Sequence, residues 1–462
     1  MPPVYDSQTL VQLHAITPAN QKQWETVSTI LDATPSFAQD VWNDLHRNQK
    51  EVAPQHAGAK GWSADQVLRF ALVKTIEGRD YRALAMRVDD GGPGVRVVLR
   101  EFCRIRFDKI PAFTTLQDNI KKIRPETLRR LNDGLMCYAV RNGVEDAPRV
   151  RMDSTAIEAN IHHPIDARQL WDGVRVLTRI LTRAQEEIER LRGRFHDHTR
   201  VAQRLLSKIT NARGDASRKP LYKRLIAVAQ KTVAYAQTAI EHLAPERCEA
   251  GCEELLLASE VSQQLQDVLG LTQRVIDQTQ RHVVQGEAVR AQDKVVSLFE
   301  PHADIIVKGQ REVIFGPKIF LTNGVSNLIL DCVVPKGNPA DADMFPVLLE
   351  RHQAIFATAP RDLATDGGFA SKRNAQTAQQ DAVKNVAFST PKGLRIEELV
   401  QSLGMFKCLR NGRAGVEAIL STAKRAYGWT RCNWRGFEAF QAYVYRAVLA
   451  YHLKTLATIT NT

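Results

Sequence analysis

The chain has few of the residues that would staple or anchor it. Its seven cysteines in 462 residues are scattered and odd in number, so they provide no disulfide framework and suit a reducing compartment. Cys248 and Cys252 stand close together, but no second pair completes a zinc set. No apolar run approaches the roughly 18–20 residues of a membrane span. The opening MPPVYDSQTLVQLHAI lacks a basic head and an apolar stretch, so no export signal is expected and a cytoplasmic setting follows. Acids are also in short supply: 51 Asp and Glu face 63 Lys and Arg, leaving a net charge of +12.

What remains is ordinary for a folded protein, with 44% hydrophobic and 25% charged residues, and the length suffices for two or three domains. The excess of cations and a pI of about 9.4 point to a polyanionic partner, nucleic acid first, although solubility alone can account for such a charge. The cations are concentrated. Arg100, Arg104, Arg106, Lys109, Lys121, Lys122, Arg124, Arg129 and Arg130 crowd residues 100–130, and nine more fall between Lys392 and Arg435. Two such clusters make either two contact surfaces or one composite surface.

Residues 1–147 read as helical. ADQVLRFALVKTIEG has helical apolar spacing, YRALAMRVDD follows as a short helix, and GGPG reads as a break. PAFTTLQDNIKKIRPETLRRLNDGLMCYAV gives two more helices, with Pro125 near the start of the second. Two short helices on a tight turn, carrying Lys121, Lys122 and Arg124, fit a DNA-binding helix-turn-helix and fit any small bundle equally. PRVRMDST is a strand. Leu170, Val174, Leu177, Leu181, Ala184, Ile188 and Leu191 then step as a coiled-coil seam, and two later segments repeat the stepping. Residues 168–290 are thus a helical hairpin or small bundle, read as an arm inserted into another fold. KVVSLFEP, VIFGPKIFLT and NLILDCVVPKG are strand-like, then helices and strands alternate through ADMFPVLLERHQAIFA, RDLAT, SKRNAQTAQQDA and VKNVAFST. The fold class is α/β, a mixed sheet with helices on its faces.

Two strands end on carboxylates. Asp153 stands in VRMDST and Asp366 in RDLATDGG, where Gly367 and Gly368 permit a sharp exit and a close backbone approach. Each alone reads equally as a turn or cap. Together, on neighbouring strands, they repel unless a cation lies between them, which implies Mg²⁺ or Mn²⁺. RNGRAGVEAILSTAKRAYGWTR offers a third acid, Glu417, with Arg413 four residues before it and Lys424 seven after, all on one helical face. Such a stripe suits a metal beside phosphates and also an exposed salt-bridged helix. Glu397 and Glu398 are rival acids at a helix start. Trp429 and Trp434 interleave with Arg431 and Arg435, and either stack on an unpaired base or belong to the core. His162 and His163 either ligate a metal or position the loop after the first strand, while Asp172 reads as a surface acid. Lys318 and Lys336 are not distinguished from other surface lysines.

With these positions in hand, the chain resembles the DDE transposases of bacterial insertion sequences, which are RNase H-like. MDSTAIEANIHHPIDARQLWDGVRVL looks like their first-strand block, FEPHADIIVKGQREVIFGPKIFLT like the strand after it, and ATDGGFAS like the second-aspartate block. Arg413, Glu417 and Lys424 match the R, E and K of the Y-(2)-R-(3)-E-(6)-K signature, with Arg410 in place of its tyrosine. The resemblance implies a helical N-terminal DNA-binding domain over 1–147, an RNase H-like core over 148–167 and 291–462, and a helical insertion over 168–290. It implies a catalytic triad of Asp153, Asp366 and Glu417 holding two Mg²⁺ (or Mn²⁺) ions. DNA contacts would come from Arg410, Arg413, Lys424, Arg431, Trp429, Trp434, Lys121, Lys122 and Arg124. The partners implied are double-stranded DNA, as terminal inverted repeats and target, and a second copy of the chain assembled on it at the nucleoid. A repressor that has lost catalysis and a nuclease or resolvase on the same fold are the alternatives.

Overall fold

The structure is a computed structural model and describes residues 18–47, 61–90, 93–105, 110–188, 191, 195–244, 252–308 and 312–461. Cys248 of the cysteine pair, and Arg106 and Lys109 of the first basic cluster, lie outside the described residues. The chain forms two compact units, one of residues 1–158, 318–335 and 339–462, the other of 159–317 and 336–338.

Among the described residues, seven helices precede the sheet in the first unit: α1 (Pro18–Asp32), α2 (Ser36–Leu45), α3 (Ala64–Ile76), α4 (Tyr81–Asp90), α5 (Pro93–Phe102), α6 (Phe113–Lys122) and α7 (Pro125–Arg141). Ser63 and Gln66 form a capping box that starts α3, each side chain accepting the other's backbone N–H. At the GGPG segment one helix ends at Asp90 and the next begins at Pro93, while Gly91 and Gly92 lie outside the described residues. Pro93 opens α5, because a proline at the first helical position loses no hydrogen bond there. The basic turn between α6 and α7 is two residues long, Ile123 and Arg124. Arg69 lies fully buried among these helices. It donates to both oxygens of Asp65 at 3.0 Å, to Asp32 at 2.7 Å, to Ser28 at 2.8 Å and to the Phe102 carbonyl at 3.1 Å.

The second unit carries the strands β2 (Asp304–Lys308) and β3 (Glu312–Gly316). The first unit holds β1 (Arg149–Ala156), β4 (Lys318–Asn323), β5 (Ile329–Val333), β6 (Asp362–Thr365) and β7 (Asn385–Phe388) in a sheet of order β5-β4-β1-β6-β7. β1 pairs antiparallel with β4 and parallel with β6, and β6 runs parallel to β7. The second unit, which interrupts the chain between β1 and β4, contains α8 (Asp166–Glu187), α9 (Thr199–Asn211), α10 (Asp215–Leu243), α11 (Cys252–Thr279), one π-helical turn (Gln280–Gln285) and the hairpin β2 (Asp304–Lys308) and β3 (Glu312–Gly316). In the first unit α12 (Asp341–Phe356), α13 (Lys372–Gln380), α14 (Ile396–Leu399), α15 (Leu403–Gly412), α16 (Ala414–Ala426) and α17 (Phe437–Asn461) complete the chain.

The seam residues of 168–290 face inward. Leu170, Val174, Leu177, Leu225 and Leu265 are fully buried, so the insertion is a bundle with its own core rather than an arm. Gly173 lets two helices touch, since a Cβ there would fall 2.7 Å from Thr272 Cγ2. Asp172, read as a surface acid, is buried and paired with Arg175 at 2.8 Å. KVVSLFEP is not a strand. The Gln278 side chain takes up the Val295 N–H and C=O at 2.8 and 3.2 Å, so no sheet neighbour is needed. VIFGPKIFLT is two strands in different sheets, because Pro317 has no N–H to continue a ladder.

α17 supplies the spine of the first unit. Phe440, Val444, Val448, Leu449, Leu453 and Leu456 are buried in the core that α1, α3 and α7 share with the sheet. Two buried histidines belong to it. The Nε2–H of His452 donates to the Ile329 carbonyl at 2.7 Å, and burial lowers both His352 and His452 from the ordinary 6.5 to about 4.

Arg69→Ala leaves Asp32 and Asp65 paired only with the half-exposed Arg104 and the Phe102 carbonyl without its donor, and is expected to cost about 1–3 kcal/mol in urea unfolding. The two histidines set a pH dependence. The unfolded chain takes up their protons near pH 6.5 and the folded chain only near pH 4, so stability is complete above the first value and falls as pH drops through the second. Thermal midpoints measured from pH 7 to 4 should decline, and His452→Gln should make that decline shallower.

Candidate active site

Alternation along β1 decides what each of its side chains meets. Val150 and Met152 are wholly buried, while Arg151 and Asp153 alternate with them on the other face. Asp153 does not end its strand as expected. It is the fifth of eight residues and pairs with Leu321 of β4. What ends is the other ladder: the β1–β6 pairing stops at Met152 opposite Thr365, and the next residues on the two parallel strands are Asp153 and Asp366. Register alone therefore sets the two carboxylates side by side, just past the end of the β1–β6 ladder.

The third acid arrives on a helix. Ser402 caps α15 by accepting the Met405 N–H at 3.1 Å, and Arg413 joins α15 to α16. α16 buries Val416, Ile419 and Ala423 and packs against β1, which leaves Glu417 exposed in its first turn. Arg413 then draws the three acids together. Its Nη1 lies 2.8 Å from Asp153 Oδ2, its Nη2 lies 2.6 Å from Glu417 Oε1, and the same Nη2 is 4.0 Å from Asp366 Oδ1. One guanidinium thus serves three carboxylates, leaving the group two negative charges in excess.

The acids differ in environment. Asp153 is 9% exposed, and its own Oδ1 accepts the Ser154 N–H at 2.8 Å. Burial raises its pKa above the usual carboxylate value, and the charge of Asp366 adds to the rise. The Ser154 N–H and Arg413 work the other way. Asp366 and Glu417 are far more open to solvent. Asp366 is held by Ser389, whose hydroxyl donates to its Oδ1 at 2.9 Å. Sequence reasoning missed Ser389, although it follows the next parallel strand as Asp366 follows β6. It also missed Arg151, which shares a face with Asp153 and donates to the Gly324 carbonyl at 3.2 Å. Among the described residues, no three His, Cys, Asp or Glu side chains stand close enough together to hold a metal as arranged. The donor chemistry nonetheless fits a hard divalent cation, because all three donors are carboxylates and a cationic group already lies between them.

The glycines after Asp366 work by close approach. A Cβ on Gly367 would fall 2.8 Å from Thr390 Cβ, and one on Gly368 would meet the Asp341 carboxylate, which is paired with Lys318 at 2.6 Å.

The other expected contacts divide. Lys424 stands partly exposed two turns beyond Glu417, and Arg410, Arg431, Lys121 and Lys122 are exposed. Lys121 and Arg124 line a cleft of about 420 Å³ with Trp434, Arg435 and Glu438, so the two basic stretches meet at one surface. The tryptophans do not present faces for stacking. Trp429 is 1% exposed in the core, and Trp434 is 9% exposed with Arg446 4.2 Å over its ring and Tyr443 beside it. Both have more apolar surface to bury than the basic residues between them, which stay in solvent. His163 packs edge-on against Phe315 at 5.4 Å within the second unit, and Glu398 lies 3.6 Å from Arg395.

Gly367→Ala is expected to push the Asp366 loop away from Thr390 and cost about 1–3 kcal/mol, read by urea denaturation.

Among the described residues, no helix is long and apolar enough to cross a membrane. No curated protein and no solved structure matches the chain. Residues 318–453 match the family model of the transposase DDE domain, a span that holds Asp366, Arg413, Glu417 and Lys424 while Asp153 lies before it. From β4 through most of α17, therefore, the chain is similar to the transposase DDE domain.

Proposed function

We propose that this protein is the transposase of a bacterial insertion sequence, cleaving DNA at the element's ends and joining those ends to a target. The observation that carries the reading is the arrival of Asp153, Asp366 and Glu417, from two strands and a helix, around one cationic group. The domain match supports it, and so does the sheet. With the β2–β3 hairpin set aside, the strands stand in chain order 3-2-1-4-5 with the second antiparallel to the first, an arrangement consistent with an RNase H-like core.

The three carboxylates would hold two Mg²⁺ or Mn²⁺ ions. When bound, such ions activate a water or a 3′-hydroxyl and stabilise the leaving oxygen of a phosphodiester. The chain's own residues supply the rest. Ser389 and the Ser154 N–H hold the Asp366 and Asp153 carboxylates in place. Arg413 has a fork that matches phosphate oxygens, and Lys424 contributes a point charge. Lys121, Lys122, Arg124, Arg410, Arg431 and Arg435 would contact the DNA backbone, and the α6–α7 turn would read the terminal repeats as a helix-turn-helix. Joining two ends calls for at least two copies of the chain on the DNA.

In a supercoiled-plasmid nicking assay with Mg²⁺, Asp153→Asn is expected to lower activity by about 10³-fold or more, because metal-held charge is worth several kcal/mol in the transition state. Gel-shift affinity for DNA should stay within a few-fold, since binding rests on phosphate contacts elsewhere. Nicking by Asp153→Asn at the unaltered rate would exclude the triad.

A further inference from the structure

The triad does not lack a cation. Arg413 supplies one, and it spans the gap: one nitrogen of its fork is on Asp153 and the other on Glu417, with Asp366 near that second nitrogen. Its side chain is 18% exposed, and the Asp153 carboxylate it touches is 12% exposed. A bridging metal needs carboxylate oxygens at about 2.0–2.6 Å from one centre. A guanidinium fork holds Asp153 and Glu417 on opposite nitrogens and fills the space between, in keeping with the absence of a metal-ready cluster among the described residues.

Arginine cannot relieve this by losing its proton, because its guanidinium stays charged in proteins. It has to move as a cation, and a cation leaving three carboxylates needs another anion. The anion whose geometry matches the same fork is a phosphate. Arg413 sits where α15 meets α16, so its side chain can swing while the short helix that carries Glu417 stays packed through Val416, Ile419 and Ala423.

We infer that Arg413 is an internal counter-cation that keeps the triad closed to metal until a DNA phosphate takes its guanidinium. This rests on the proposed assignment of the triad as a metal site. Metal and DNA would then assist each other's binding, since a group displaced by one is accepted by the other and such coupling is reciprocal. Arg413 is on this view a positioning residue that acts through Asp153 and Glu417, in addition to its contact with phosphate.

The test is binding of Mn²⁺ to the full-length, DNA-free protein, followed by the electron paramagnetic resonance signal of free Mn²⁺. Arg413→Gln is expected to bind Mn²⁺ at least about tenfold more tightly than wild type, since a competing cation held by charge-assisted bonds has been removed. Arg413→Lys, which keeps the charge but cannot bridge two acids, should fall between the two and guards against a variant that fails to fold. In the Gln background, a further Asp153→Asn should abolish the gain. A second arm adds a short duplex at constant ionic strength, with the Mn²⁺ held by the duplex alone subtracted. Wild type should tighten toward the Arg413→Gln value, and Arg413→Gln itself should change little. Equal Mn²⁺ affinity in wild type and Arg413→Gln, with Asp153→Asn still weakening both, would overturn the latch and leave the metal site standing. Binding that no Asp153 variant alters would overturn the triad and the latch together.

Discussion

The parallel pairing of β1 with β6 is the constraint on which the rest of this molecule depends. Its ladder joins segments 213 residues apart, from Arg149 opposite Asp362 to Met152 opposite Thr365. At its start Asp362 is fully buried, and burial works against its charge. Arg361 at 2.8 Å, Asn385 at 2.7 Å and Arg149 at 3.4 Å nevertheless hold its pKa below the ordinary carboxylate value. That cluster ties β1, β6 and β7 together at the end remote from the site. The opposite end is thereby fixed in register, and Asp153 and Asp366 emerge as neighbours. A slip of one residue would turn Asp153 onto the face now occupied by Val150 and Met152.

Two carboxylates so placed create an electrostatic problem that the fold answers with Arg413. Burial already disfavours the charge on Asp153, and Asp366 disfavours it further. The guanidinium, the Ser154 N–H and, for Asp366, the Ser389 hydroxyl offset this without neutralising the group. The residual negative charge separates this cluster from the Arg69 network. There the fully buried Arg69 and the half-exposed Arg104 both pair with Asp32 and Asp65, so the charges balance. Both clusters use arginine–carboxylate pairs, and only the one at Arg413 retains uncompensated charge.

The chain accommodates a whole compact unit between β1 and β4 because those strands are antiparallel neighbours. A connection between them has only to return to its starting edge, whatever its length, and the closure cost grows slowly with loop size. Pro317 marks the return, ending β3 at Gly316 and letting β4 start at Lys318 in the other sheet. The inserted helices then bury their own seam, with Leu170, Val174 and Leu177 facing Leu225 and Leu265 in a separate core.

Much of this was legible in the one-dimensional pattern. The helical N-terminal region, the β1 segment, the seams of the insertion and the Arg413–Glu417–Lys424 stripe follow from apolar period and charge spacing, which are local properties of the backbone. Local pattern also misled. KVVSLFEP has strand composition but gives its backbone bonds to Gln278, and the tryptophans of YGWTRCNWRG, whose spacing with arginines also suits base stacking, fill the core. Sequence fixes which residues carry charge and how they repeat along a helix or strand. Only the tertiary structure decided that Asp153 lies mid-strand, that Asp366 and Glu417 reach the same guanidinium, and that Lys121, Arg124 and Arg435 line one cleft. Those outcomes depend on strand order and register, and these are set by hydrogen bonds and burial between segments hundreds of residues apart.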